Sequence, residues 1–283
     1  MPVAVEGKAG FCRRAVVAGV VSVVACFSAT GAMAQACGNS GGGFDAWLNG
    51  FKSRAAGHGI PAATVSSALA GVTYDQSVIN LDRGQRSFKL SFEQFYARRV
   101  SGSLISRGQG LMASNAALLQ NIEARFGVPG AVLISIWGLE TNYGRGAQGG
   151  KAIVRALATL AYDCRRAAFF ENELVNALRI VQRGDMSVAS MRGGWAGEIG
   201  PMQFLPSSYM KYAVDFDGNG RRDLMNSVPD MLASTANFLK GHGWKAGQPW
   251  GPGTANYAAI REWNKAEVYQ RTIAVMSQKM AGR

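Results

Sequence analysis

The chain has 283 residues, of which 48% are hydrophobic and 10% aromatic, a composition typical of a folded globular protein rather than a disordered chain. Its formal net charge of +12 favours anionic partners such as cell-wall polymers, lipid headgroups or acidic glycans. Nucleic acid is the weaker interpretation, because no basic run with interleaved aromatics and no nucleic-acid motif is present. Two histidines, His58 and His242, disfavour a Ser-His-Asp or Cys-His enzyme and a structural zinc site.

Residues 1–34 have the pattern of an export signal. Three basic residues precede the apolar run 15–27, which is too short to span a bilayer, and Ala-Met-Ala at 32–34 is a small-x-small cleavage site. We expect cleavage after Ala34 and export to the periplasm. A competing site at 23–26 resembles a weak lipoprotein box without its usual Leu. Only lipidation of Cys26 would then anchor the protein to a membrane.

Two cysteines, Cys37 and Cys164, remain after the signal is removed. Export to an oxidising compartment favours a disulfide between them, and the alternative is a pair of free thiols. The Gly-rich residues 35–43 are predicted to be a flexible lead before one domain at 44–283. Helical spacing of apolar residues recurs at 44–55, 61–72, 88–100, 111–126 and 165–181, which predicts a mainly α fold. We expect a monomer.

The segment 129–144 contains the main candidate for chemistry. Pro129 suits a first helical turn and Gly144 an end, and on that helix Trp137 and Glu140 share one face with other apolar residues. Desolvation raises a carboxyl pKa, which is what a general acid needs near neutral pH. The alternative is an exposed Glu at a helix end that has no role.

Three other segments carry side chains suited to sugars or anions. Arg165 and Arg166 begin a helix, where they are either ordinary solvated charge or contacts to an anionic or polyhydroxylated ligand. A Gly-rich stretch at 193–209 combines two flat aromatic rings with an amide, and the C-terminal region adds a similar set. These aromatic and amide candidates are Trp195, Gln203, Phe204, Trp263, Asn264 and Tyr269.

Residues 215–226 resemble an EF-hand calcium loop. Oxygen side chains occupy positions 1, 3, 5 and 9, and Gly occupies position 6, but Asn226 stands where the bidentate Glu is expected. Arg221 and Arg222 add positive charge, so a weak calcium site and a metal-free turn are left as equal alternatives. The candidate ligands are Asp215, Asp217, Asn219, Arg221 through its carbonyl, and Asp223.

Together these motifs resemble the membrane-bound lytic murein transglycosylase B family of the lysozyme-like superfamily. The resemblance runs from about Phe44 to the C-terminus. It is carried by Ile-Trp-Gly-Leu-Glu-Thr-Asn-Tyr-Gly at 136–144, Ala-Tyr-Asp-Cys-Arg-Arg-Ala at 161–167, Gly-Pro-Met-Gln-Phe-Leu-Pro-Ser-Ser-Tyr at 200–209 and Tyr-Ala-Val-Asp at 212–215. It implies a lysozyme-like catalytic core with an additional helical lobe and at most a small β element. Peptidoglycan glycan strands would bind in the groove between them.

The resemblance also implies site residues and a mechanism. It makes Glu140 the single catalytic acid and base, which cleaves the MurNAc-β-1,4-GlcNAc bond and leaves a 1,6-anhydro-MurNAc end. It assigns glycan contacts to Arg165, Arg166, Gln203, Trp263, Asn264 and Tyr269, and a structural calcium to the 215–226 loop, with no cofactor required. A muramidase-type hydrolase and a catalytically impaired peptidoglycan-binding protein are the alternatives.

The family pattern breaks at two positions. Gly194 stands where the family usually has a Ser that orients the acetamido group of the substrate, and Glu198 is an additional acid in the Gly-rich stretch. We expect Glu198 to face solvent beside flexible glycines rather than to act as a second catalytic carboxylate.

Overall fold

The computed structural model describes residues 37–84, 90–146 and 150–282, so the predicted signal peptide and Cys26 lie outside the described residues. The described chain is mainly helical, as the apolar spacing predicts. Its helices are α1 Phe44–Gly57, α2 Ala62–Ala68, α3 Gln76–Arg83, α4 Phe92–Arg99, α5 Gly102–Ser114, α6 Ala116–Phe126, α7 Gly130–Thr141, α8 Ile153–Tyr162, α9 Ala167–Gln182, α10 Pro206–Tyr212, α11 Val228–Gly241, α12 Ala255–Trp263 and α13 Glu267–Met280.

A small β element accompanies these helices. Strand β1, Lys151–Ala152, pairs antiparallel with β2, Arg192–Gly193. Isolated bridges continue this pairing, because Ile199 bridges to Gly193 on one side and to Phe204 on the other. The backbone of residues 193–204 is therefore folded back on itself by hydrogen bonds, which fixes the Gly-rich stretch that the sequence marks as a binding segment.

Helix α7 lies at the centre of the core. All of its residues except Glu140 are buried, and it packs against α13, α5, α6 and α11. A helix that is apolar on every side is stable only when other elements cover it completely. The helix begins one residue later than the sequence predicts, because Pro129 is its N-cap, and it ends at Thr141 before Asn142 in the left-handed conformation. Glu140 is thus the one partly accessible side chain of a fixed helix.

The predicted helix boundaries need two further corrections. The single helix predicted over 111–126 is divided, because Asn115 (φ −113°) ends α5 and begins α6. The helix predicted from Arg165 begins only at Ala167, since Arg166 is its N-cap with φ −143°. No single helix among the described residues is long and apolar enough to cross a membrane. Helices α6 and α7 together reach that length and apolar composition, but the chain bends by 108° between them.

The predicted flexible lead is fixed to the domain from Cys37 onward. The disulfide between Cys37 and Cys164 forms, as the sequence favours, and the Gly38 N–H donates to the Tyr162 carbonyl over 2.9 Å. Gly41–Gly43 form a short 3-10 helix, and the Gly43 N–H reaches the Tyr162 hydroxyl at 3.2 Å. A cross-link between residues 127 positions apart restricts the unfolded chain strongly, which stabilises the fold by about 4–5 kcal/mol in a chain-entropy model.

Candidate active site

An open cavity of about 390 Å³ lies at the C-terminal end of α7. Its walls come from α7, the 193–204 segment, α9 and its N-cap, and the end of α12. Most of the lining residues are polar or aromatic groups able to contact a sugar, and they include Glu140, Arg166, Trp195, Glu198, Gln203, Trp263 and Asn264. The structure therefore brings together most of the site residues that the sequence predicts, from segments more than 120 positions apart.

The Glu140 carboxyl is held by the C-terminal region. The Trp263 indole N–H donates to Glu140 Oε1 over 2.9 Å. Burial raises the pKa of Glu140 above its ordinary value, while the Trp263 indole, the Tyr269 hydroxyl and the charge of Arg99 offset part of the rise. The carboxyl is therefore protonated at a pH where an exposed Glu is ionised, yet a donor is in place to stabilise the carboxylate once the proton has left.

Tyr269 differs from its predicted role as a substrate contact. Its side chain is buried, and it is absent from the cavity lining. Desolvation and the neighbouring Glu140 raise the pKa of the Tyr269 phenol well above its ordinary value, so it remains a neutral hydroxyl. Phe204 is also mostly buried, at 2% exposure, and packs edge-on against Trp263 at a centroid distance of 5.3 Å. Both residues pack at the end of the cavity where Glu140 lies.

Two amides in the cavity are already partly engaged. Gln203 has a positive φ of 56°, unusual for a residue with a side chain, and its Nε2 donates to the Gly200 carbonyl over 2.8 Å. That bond leaves the amide oxygen to accept from a ligand. The Asn264 side-chain oxygen accepts from the Ala266 N–H at 2.9 Å. The Asn264 amide is thus left with its NH₂ group as a donor, so the two amides complement each other.

The predicted pair Arg165 and Arg166 is bound to a carboxylate of the protein. Both guanidinium groups form ion pairs with Asp82, whose side chain is 2% exposed, and Arg165 also donates to the Asp82 carbonyl at 3.1 Å. Arg166 lines the cavity, whereas Arg165 does not. The sequence reasoning missed Asp82, since an acid on helix α3 gives no local sign of its distant partners. These arginines are therefore partly neutralised before any ligand arrives.

Glu198 contradicts the expectation that it faces solvent. Its carboxyl lines the cavity, its Oε2 accepts from the Ala196 N–H over 2.9 Å, and burial raises its pKa despite that bond and the charge of Arg166. The physical reason is the glycine opposite: a Cβ added at Gly194 would lie 2.0 Å from Glu198 Oε2. The two departures from the family pattern are thus one feature, because the missing side chain at 194 makes room for the carboxyl of Glu198.

The acidic loop at 215–226 contains a carboxylate cluster that only partly matches the predicted ligand set. Carboxylate oxygens of Asp215, Asp217 and Asp230 lie within 4.8 Å of one another. Asp230 is fully buried and lies in the first turn of α11. The sequence does not indicate it as a ligand, because in the sequence it has the pattern of a helix start. Asp223 instead accepts the backbone N–H groups of Met225 and Asn226, at 3.0 and 2.9 Å. Three convergent carboxylates fit a hard divalent cation such as calcium.

The fold and the cavity define a class of protein: a mainly helical, lysozyme-like protein in which two desolvated carboxyls, Glu140 and Glu198, line an open groove of aromatic rings and amides. The chain belongs to the Transglycosylase SLT domain family, whose model matches residues 43–254. The membrane-bound lytic murein transglycosylase B of Escherichia coli (strain K12) is 42% identical over 123 residues. That match covers 43% of this chain and 34% of the relative, so it spans about a third of the curated protein.

Solved structures agree with this family and confirm the predicted fold. SltB3 from Pseudomonas aeruginosa, in complex with NAG-anhNAM-pentapeptide, is 32% identical with a TM-score of 0.80, covering 87% of this chain and 80% of that one. The Escherichia coli lytic transglycosylase Slt35, in complex with calcium, is 23% identical with a TM-score of 0.73, covering 89% and 97%. At that identity the second comparison supports the fold alone.

Proposed function

We propose that this protein is a peptidoglycan lytic transglycosylase that cleaves the MurNAc-β-1,4-GlcNAc bond and leaves a 1,6-anhydro-MurNAc end. The observation that carries the proposal is the position of the Glu140 carboxyl, whose pKa is raised by burial and which lines an open groove with Trp195, Gln203 and Asn264. Family membership and the sugar and peptide ligand of SltB3 support the substrate class.

In this mechanism Glu140 first acts as a general acid. Its proton passes to the glycosidic oxygen, the bond to the MurNAc anomeric carbon breaks, and GlcNAc leaves with a free hydroxyl. The acetamido oxygen of the substrate stabilises the electron-poor anomeric carbon. The Trp263 indole N–H, 2.9 Å from Glu140 Oε1, stabilises the resulting carboxylate.

Glu140 then acts as a general base. The carboxylate takes the proton from the MurNAc O6 hydroxyl while O6 forms its bond to C1, which restores the protonated acid and consumes no water. The neutral Tyr269 hydroxyl behind the carboxyl lowers the pKa of Glu140 in part, which helps the proton to leave in the first step. The same cavity residue therefore serves both steps, with its proton returned at the end of each cycle.

Glu198 supports the alternative of a muramidase-type hydrolase, because most glycoside hydrolases use two carboxyl groups and burial raises the pKa of Glu198 as well as that of Glu140 in this cavity. Digestion of purified sacculi, followed by mass spectrometry of the released muropeptides, distinguishes lytic cleavage from hydrolysis. Anhydro ends support lytic cleavage, whereas reducing ends would establish hydrolysis. A protein that binds sacculi without releasing muropeptides, with no difference between the native chain and Glu140→Gln, would be a binding protein.

We further propose that Asp215, Asp217 and Asp230 hold a structural calcium ion. Their oxygens converge, and Asp230 joins the loop to α11, so a cation there would hold the loop against the helix. Calcium in this position would neutralise the charge of the carboxylates and so stabilise the fold, and it would take no part in bond cleavage. Calcium should raise the melting temperature and a chelator should reverse the rise, because a ligand bound only to the folded state stabilises it.

The proposed location follows from the substrate. Peptidoglycan lies in the periplasm, and the signal pattern at 1–34 is consistent with export. Cleavage after Ala34 would release a protein free of lipid, whereas lipidation of Cys26 would anchor it. N-terminal sequencing and mass measurement of the mature protein from the periplasm distinguish these two forms, since only the lipidated form carries acyl mass on Cys26.

A further inference from the structure

A second cleft, of about 470 Å³, opens on the other side of the catalytic carboxyl. Glu140 is in the lining of both this cleft and the catalytic cavity. The residues that distinguish it are four arginines from three separate segments: Arg98, Arg99, Arg107 and Arg145. Glu140 is the only acidic residue among the described residues of its lining, so we call this cleft the arginine cleft.

These arginines differ from the pair at the catalytic cavity in the partners of their guanidinium groups. No ion pair of the described residues includes any of the four. Arg99 donates to the Leu139 carbonyl, and Arg107 donates to Asn142 Oδ1 over 2.8 Å and lies against the Tyr143 ring. These neutral contacts orient two guanidinium groups without neutralising them.

Four like charges around one cleft repel one another, and an anion bound among them removes that repulsion. Arginine presents a planar set of N–H donors that pairs with a carboxylate through two parallel hydrogen bonds. Because Glu140 borders the cleft, a ligand there is continuous with a glycan whose scissile oxygen lies at Glu140. The expected anion is therefore a group carried on the substrate close to the bond that breaks.

Resting on the proposed function, we propose that the arginine cleft binds the carboxylates of the peptide attached to muramic acid. The cleft is then a peptide subsite that favours glycan with charged stems over bare glycan. Arg99 and Arg107 are fixed by their backbone and amide contacts, whereas the exposed Arg98 and Arg145 adjust to the peptide. Arg165 and Arg166, already paired with Asp82, contribute less to this recognition.

The test uses two soluble tetrasaccharide substrates that differ only in charge: one with native peptide stems and one whose peptide carboxylates have been converted to carboxamides. Arg98→Gln and Arg145→Gln should each raise KM for the native substrate about tenfold with little change in kcat, because a charge-assisted contact is lost in the ground and transition states alike. KM for the carboxamide substrate should be unchanged.

Arg125→Gln is the matched control, since it removes the same charge from an exposed residue outside both cavities. Equal effects of an Arg98 or Arg145 substitution on both substrates would overturn the proposal, as would equal KM values of the native chain for the two substrates. Competition by duplex DNA as strong as that by the native tetrasaccharide would instead indicate a general polyanion site. Failure of the native chain to form anhydro ends from either substrate would reject the proposed function itself.

Direct binding provides a readout free of turnover. In the Glu140→Gln background, calorimetry should give tighter binding of the native tetrasaccharide than of its carboxamide form, and Arg98→Gln should reduce this difference in affinity about tenfold. If the preference persists when both Arg98 and Arg145 are replaced, the peptide carboxylates bind elsewhere and the proposal fails.

Discussion

Glu140 in the catalytic cavity and Asp230 in the acidic loop differ in the hydrogen-bond donors that replace water around their carboxyl groups. Asp230 is fully buried and accepts the backbone N–H groups of Phe216, Asp217 and Asp223 at 2.7, 3.3 and 2.8 Å. Glu140 accepts one indole N–H at 2.9 Å. Several fixed donors replace water around a charge and make a carboxylate structural. Around Glu140 the Trp263 and Tyr269 donors offset burial only in part, so the pKa of Glu140 stays raised and the carboxyl is suited to donate a proton.

The largest expected effect is that of Glu140→Gln. The amide preserves the shape and the indole contact but has no proton to transfer, so formation of anhydro muropeptides should fall by at least about 10³-fold. Sacculus binding in a pull-down should persist. Substantial activity of the variant would contradict this role of Glu140, because the glycosidic oxygen would then receive its proton from another group.

The contrast also predicts a pH dependence of stability. Since burial raises the pKa of Glu140 above its unfolded value of 4.5, the unfolded chain loses this proton first as pH rises. The free energy of unfolding should therefore decrease with increasing pH from about 4.5 until Glu140 ionises in the folded state. Denaturant titrations should show a smaller decrease for Glu140→Gln. An identical slope for both proteins would contradict the assigned shift.

Asp230→Asn tests the structural side of the comparison. The amide replaces one acceptor oxygen by a donor, so at least one of the three backbone N–H groups faces an NH₂ group. The free energy of unfolding should fall by about 1–3 kcal/mol, and calcium should no longer raise the melting temperature. Asp217→Asn is the control in the exposed part of the loop, and it should reduce the calcium response with a smaller loss of intrinsic stability.

A smaller effect is expected from Gly194→Ser. The new Cβ would meet Glu198 Oε2 at 2.0 Å, which forces the flexible carboxyl to move and break its bond to the Ala196 N–H. The substitution should lower unfolding free energy by about 1 kcal/mol in the native background and much less in a Glu198→Ala background. Additive losses in the double-mutant cycle would show that the two positions are independent.

The smallest expected effect is that of Glu198→Gln on the pH profile. The charge of Glu198 raises the pKa of Glu140, although burial contributes most. Its removal should move the alkaline limb of kcat/KM to lower pH by less than about one unit. A change of product from anhydro to reducing ends, or the reverse, would mean that Glu198 takes part in the chemistry and is more than an electrostatic neighbour.

The sequence predicts the parts of this molecule that depend on local patterns. The helices follow from apolar spacing, and the position of Glu140 at the end of an apolar core helix follows from the same spacing. Burial of Glu198 was not predictable, because it depends on space at Gly194 and on a wall formed by distant helices. Asp82 and Asp230 were missed for the same reason: their partners lie more than 80 residues away for Asp82 and on the preceding loop for Asp230.

The direction of helix α7 has a consequence for the proton of Glu140. Helical peptide dipoles add up to a partial negative charge at the C-terminus, and Glu140 is the last residue but one of Gly130–Thr141. An ionised carboxyl in that position is disfavoured by about 0.3–1 kcal/mol at exposed sites and more where water is excluded. The same Glu at the opposite end of the helix would meet unpaired N–H groups and give up its proton readily. Chain direction therefore adds to burial in favouring the protonated form of Glu140.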